Sequence, residues 1–120
     1  MRVLVVESQK TPYVKEISEG LESLQKEVDG MIEAVYPWTE PCAIVCDDEA
    51  KLKGKPFNRV LRDEDGDIYD VIAGTFLIVG LSEDSFTSLS DAYIEQFSEK
   101  FAVPELFLNV DGRFIVIGMK

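Results

Sequence analysis

Apolar and polar positions along the chain follow two periods, and the switches between them mark out the elements. Met1–Glu7 holds Val3, Leu4, Val5 and Val6 in one run and reads as a strand. After a loop at Gln9–Pro12, Tyr13, Lys15 and Ile17 extend a second, shorter one. Leu21, Leu24 and Val28 then fall at i, i+3 and i+7, one face of a helix. Ser18 is its expected N-cap, and Asp29-Gly30 its stop, with glycine supplying the left-handed turn. Met31–Trp38 alternates and ends at Pro37, and Cys42–Cys46 follows closely enough to close a hairpin. Gly74–Gly80 is a continuous apolar run between glycines, the pattern of a strand buried on both faces.

A second helix is expected after Ser88, which with Asp91 resembles a shortened capping box. Ile94, Phe97 and Phe101 form its stripe, Tyr93 widens it and Pro104 ends it. Glu105–Val110 and Arg113–Ile117 flank Asp111-Gly112, the clearest two-residue hairpin signal in the chain. Val60–Ile72 also contains a hairpin dipeptide, Asp65-Gly66, but carries too much charge to read as regular sheet. With no convincing parallel crossover, the pattern predicts one α+β domain over residues 1–120. Its architecture is a mainly antiparallel sheet of six or seven strands with two helices and a C-terminal β-hairpin.

Composition then removes function classes. The 120 residues hold 23 acids against 12 bases, a net charge of −11, and no histidine. Such a chain is repelled by nucleic-acid phosphates unless its cations segregate, so direct nucleic-acid binding is not expected. Without histidine it lacks the commonest general base and metal ligand. Nucleophile-elbow, phosphate-loop and dinucleotide motifs are missing as well. Every carboxylate lies in a charged run or on a polar helix face, where water keeps it ionised. No catalytic residue, cofactor or metal is therefore assigned. Cys42 and Cys46 would sit about 13 Å apart on one strand face, and they read as reduced, buried small hydrophobes. No apolar run reaches membrane-spanning length, and the expected compartment is the cytoplasm.

Three charged clusters change the picture further. Asp63, Glu64, Asp65, Asp67 and Asp70 invite a calcium test, but an EF-hand begun at Asp63 has Ile68 at its glycine position and Gly74 where the bidentate glutamate belongs. Lys51, Lys53, Lys55, Arg59 and Arg62 form a basic stretch between acids, and neutralisation by those neighbours is the favoured reading. As a ligand site it would offer Asn58, Arg59 and Arg62 to a phosphate or carboxylate. Asp91, Glu95 and Glu99 stack at i, i+4 and i+8, a negative row near the spacing of successive phosphates. The remaining surplus lies on Glu19, Glu22, Glu27, Glu83 and Asp84.

The blocks VLVVE, ESLQKEVDGMIEAVYP, AIVCDDEAKLKGKPFNRVL and DVIAGTFLIVG, in that order, resemble the family called domain of unknown function 3846 over roughly the first 80 residues. The resemblance points to Asp48, Glu49, Gly54, Asn58 and Arg59 in its middle block. It implies a phage or mobile-element setting but assigns no activity. The leading expectation is thus a small acidic accessory protein that binds another protein, as a nucleic-acid mimic against a host defence or DNA-handling factor. In that reading Asp91, Glu95 and Glu99 face the partner. One alternative is a small-ligand or nucleotide-binding domain using the Lys51–Arg62 loop. Another is a structural or homodimerisation module, favoured by an exposed apolar sheet edge or face around Phe107–Ile117.

Overall fold

The structure is a computed structural model and describes residues 1–119. The apolar run at 74–80 becomes β7 (Phe76–Leu81), whose five residues from Phe76 to Gly80 are buried. Its neighbours are β1 (Arg2–Val6) and β4 (Cys42–Asp47), outside which lie β2 (Tyr13–Glu16) and β3 (Ile32–Val35). The order β2-β1-β7-β4-β3 is antiparallel throughout. A two-residue strand, β8 (Phe86–Thr87), continues the pairing of β7 beyond β1.

Because side chains alternate, the sheet buries two separate apolar sets. One face carries Val3, Val5, Ala43, Val45, Leu77 and Val79, covered by Leu24 and Val28 of α1 (Leu21–Val28). The other carries Leu4, Val6, Cys42, Ile44, Cys46, Phe76 and Ile78. It is covered by Phe97 of α2 (Asp91–Lys100), by Phe101, and by Leu61 and Ile72 of a second hairpin. Trp38 leans on Phe97 at a ring separation of 4.3 Å and belongs to this packing.

That second hairpin, β5 (Phe57–Arg62) with β6 (Ile68–Ala73), does form a paired two-stranded sheet despite its charge, though with the irregularity the sequence suggested: its register shifts between Phe57 and Arg59 and between Leu61 and Arg62. Asp63, Glu64, Asp65 and Asp67 sit in its exposed turn, while Asn58–Leu61 and Ile72–Ala73 at its base are buried. With β8 it raises the strand number above the six or seven expected. The last hairpin, β9 (Glu105–Val110) and β10 (Arg113–Gly118), forms as predicted. Asp111 and Gly112 both have positive φ, the type I′ geometry that suits strand twist.

The helix ends differ from the sequence reading. Gly20 (φ 108°), not Ser18, precedes α1, in backbone space open essentially to glycine. Asp29 takes the left-handed C-cap, and Gly30 serves another purpose: a Cβ there would collide with the Asp47 carboxyl. In α2 the cap is Ser90, whose Oγ accepts from the Tyr93 N–H. Ser88 instead accepts from the Arg2 N–H at 2.9 Å and ties the approach of α2 to β1.

Asp47 joins three segments. Its buried carboxylate accepts from Lys53 Nζ at 2.9 Å, lies 2.7 Å from Lys55 Nζ and accepts from the Glu49 N–H. Lys55 also donates to the Val28 and Asp29 carbonyls at the negative end of α1. Burial alone would raise this carboxyl, but the bonds from Lys55, the Glu49 N–H and Lys53 outweigh it and pull it from the ordinary 3.8 to about 2. A depressed carboxyl stabilises the fold above its unfolded-state pKa and stops doing so as it protonates. Asp47 should therefore contribute about 2 kcal/mol at neutral pH, lost as pH falls from about 4 towards about 2. Urea unfolding of wild type and Asp47→Asn across that window checks this. Their stability difference should shrink towards zero in acid, and a pH-independent difference would refute the assignment.

Candidate functional site

The basic stretch resolves into internal work. Lys51 pairs with Asp70 at 3.1 Å, while Lys53 and Lys55 pair with Asp47, so the lysines do neutralise the flanking acids. The arginines bond to carbonyls instead. Arg59 is 1% exposed, and its guanidinium donates to the carbonyls of Asn58, Lys10 and Phe101 and to Asn58 Oδ1. Asn58, also fully buried, donates from Nδ2 to the Val6 and Gly74 carbonyls. Burial pushes the Arg59 pKa down, and nearby Glu105 counters it. Arg62 is exposed and donates to the Gly66 carbonyl across its own turn. The structure thus does not present Asn58, Arg59 and Arg62 to one concave surface. The two buried donors hold strand ends together, and sequence spacing carries no signal that separates this from a ligand loop.

The helical acids are placed as the periodicity predicts, along the exposed side of α2. Asp91 is engaged by Arg2 Nη1 at 2.6 Å, whereas Glu95 and Glu99 have no ion-pair partner among the described residues. Asp63, Asp65 and Asp67 cluster on an open turn, where Asp63 Oδ1 accepts from the N–H groups of Asp65 and Asp67. One carboxyl pair escaped the sequence reading. Glu33 meets Asp48 across the end of the β3–β4 pairing, and that hydrogen bond, with burial, raises its pKa. Neither acid lines a cavity described here. Cys42 and Cys46 are free thiols, each pushed up to about 11 by burial and then by neighbouring carboxylates, which makes them poor nucleophiles.

A concavity lies where the sequence offered only surplus acids. It is an open groove of roughly 910 Å³ between the start of α1 and the β7–β8 turn. Leu21, Leu24, Ile32, Leu81 and Phe86 supply its apolar lining, and Tyr36 stands exposed beside them. Glu19 borders one side and Glu83 with Asp84 the other. The latter two occupy the tip of a turn closed by the Ser82 N–H on the Ser85 carbonyl (2.9 Å) and by contact between the two serine hydroxyls. Among the described residues no Lys or Arg side chain lines the groove. The Met1 ammonium, which does border it, is taken up by Glu16 and the Ile17 carbonyl. The sequence signal for this site was faint: surplus acids at Glu19, Glu83 and Asp84, far apart in the chain.

The fold is therefore an α+β domain with a central antiparallel sheet between two helical layers, and its open site is an acid-rimmed groove. Residues 1–102 match the family described as Domain of unknown function (DUF3846), and the chain belongs to that family. The match reaches past α2, beyond the 80 residues of the sequence resemblance, and stops before β9. No curated protein and no solved structure matches the chain. No described helix is long and apolar enough to cross a membrane.

A structural Arg59 and a peripheral Arg62 predict opposite outcomes. Arg59→Leu strands buried carbonyls and should cost about 3 kcal/mol or more, with Arg59→Lys little better because the planar fork is lost. Arg62→Ala should cost less than about 1 kcal/mol. Equilibrium urea denaturation of the three variants measures this, and a near-neutral Arg59→Lys would contradict it.

Proposed function

We propose that this chain is an accessory domain that acts by binding another protein, with the groove between α1 and the β7–β8 turn as its docking site. The observation that carries the reading is the pairing of an apolar floor with a rim of Glu19, Glu83 and Asp84 and, among the described residues, no Lys or Arg side chain. A concave apolar surface provides affinity through water exclusion, and a single-sign rim selects the partner's charge. The fitting partner presents a basic segment with interspersed aliphatic or aromatic side chains. The net charge of −11 favours such a partner at long range.

The family resemblance supports a phage or mobile-element setting, where basic DNA-handling proteins are natural partners for an acidic accessory protein. Mimicry of a phosphate row by Asp91, Glu95 and Glu99 has less support than the groove, because Arg2 already engages Asp91. Ligand binding by the Lys51–Arg62 loop has less still, since Asn58 and Arg59 spend their donors inside the fold.

A short synthetic peptide of alternating Leu and Arg, titrated calorimetrically at low salt, tests the groove. Combining Glu83→Gln with Asp84→Asn should weaken binding roughly tenfold, each exposed charge being worth up to about 1 kcal/mol. Asp63→Asn with Asp65→Asn, which removes two charges from the distant β5–β6 turn, should leave it nearly unchanged. Equal losses in the two double variants would mean that net charge, not the groove, attracts the peptide.

A further inference from the structure

The C-terminal hairpin lies outside the residues matched to the family, and its last strand presents an unpaired edge. β9 and β10 pair without a register break, and the Met119 N–H donates to the Pro104 carbonyl at the open end. Alternation of bonded and unbonded pairs then turns the N–H and C=O groups of Phe114 and Val116 away from β9. They make no hydrogen bond among the described residues.

The edge strands of the main sheet path and of the β5–β6 hairpin are blunted. β2 carries Lys15 and Glu16, both in ion pairs, and β3 is four residues long and followed by Pro37. β6 carries Asp70 and pairs with shifts in register, and β5 has its Val60 N–H occupied by Glu105 Oε1. β10 has no proline, bulge or acid, and its one charge, Arg113, stands at the turn. An apolar edge of this kind is a template for strand addition.

Both faces of the hairpin are apolar as well. Phe107, Phe114 and Val116 share one face, where Phe107 and Phe114 pack against Phe57. Leu106, Leu108, Ile115 and Ile117 share the other, and Leu108 and Ile117 are exposed there.

We infer that β10 pairs antiparallel with β10 of a second copy of this chain, about a two-fold axis through Ile115. Phe114 of each copy then exchanges N–H to C=O bonds with Val116 of the other, so the unmet groups satisfy one another by symmetry. The resulting four-stranded sheet continues both apolar faces across the axis, a match that an unrelated strand would need by coincidence. Charge points the same way. Copies of a −11 chain repel over most of their surface, whereas residues 105–119 carry only Glu105, Asp111 and Arg113. A single strand edge buries little area, so association is weak and concentration-dependent.

Sedimentation equilibrium between about 10 and about 500 μM should show a reversible dimer. Val116→Pro removes an outward N–H and should weaken association at least about tenfold. Cysteine crosslinking fixes the register even if that variant disrupts the hairpin. Across the axis the two Ile115 positions form an unbonded antiparallel pair with Cα atoms about 4.5 Å apart, within disulfide range. Ile115→Cys should oxidise to a covalent dimer, whereas Ile117→Cys, whose copies lie much farther apart, should not. Cys42 and Cys46 are buried and do not compete. A monomer throughout the concentration range, or equal crosslinking by both variants, would overturn the inference.

Discussion

Arg59 and Asn58 form the buried polar joint on which the arrangement of the layers depends. A guanidinium removed from water is costly unless every donor finds an acceptor, and here the acceptors are backbone carbonyls from distant segments. Lys10 belongs to the loop after β1, and Phe101 closes α2. Asn58 adds Val6 at the end of β1 and Gly74 before β7. One dipeptide of β5 thereby fixes the β5–β6 hairpin against the main sheet and against the C-terminal end of α2. Non-directional apolar packing would hold these pieces together without specifying a single register. Directional bonds to named carbonyls supply that specification.

Asp47 plays the complementary role on the opposite side of the sheet. Its carboxylate gathers Lys53 and Lys55, and Lys55 in turn satisfies carbonyls at the end of α1. The two joints consume most of the basic stretch and leave the surface dominated by unpaired acids. That imbalance fits the single-sign rim of the groove, where no Lys or Arg side chain among the described residues joins Glu19, Glu83 and Asp84 in the lining.

Much of the fold was legible because periodicity reports burial directly. The run at 74–80 has to be a strand covered on both faces, and Asp111-Gly112 has to turn a hairpin. The β5–β6 hairpin was harder to read because most of its acids crowd into the turn while its base is buried, a division that a window average blurs. Helix caps moved by two residues where a glycine or serine nearer the helix offered better geometry. Cys42 and Cys46 lie buried on one strand face as alternation requires, and Trp38 packs on Phe97.

By itself the sequence determined the fold class, the central strand, both helices, the last hairpin and the acidic balance, all of which follow from local period and composition. Only tertiary structure decided what the polar residues do. Whether Arg59 meets a ligand or the carbonyls of Lys10 and Phe101 depends on segments some 40 or more residues away being folded against it. The groove is likewise assembled from Glu19, Ile32 and Glu83, which chain order keeps apart. Hydrogen bonds and charges act over a few ångströms of space, and the sequence records that proximity only where neighbours in space are also neighbours in the chain.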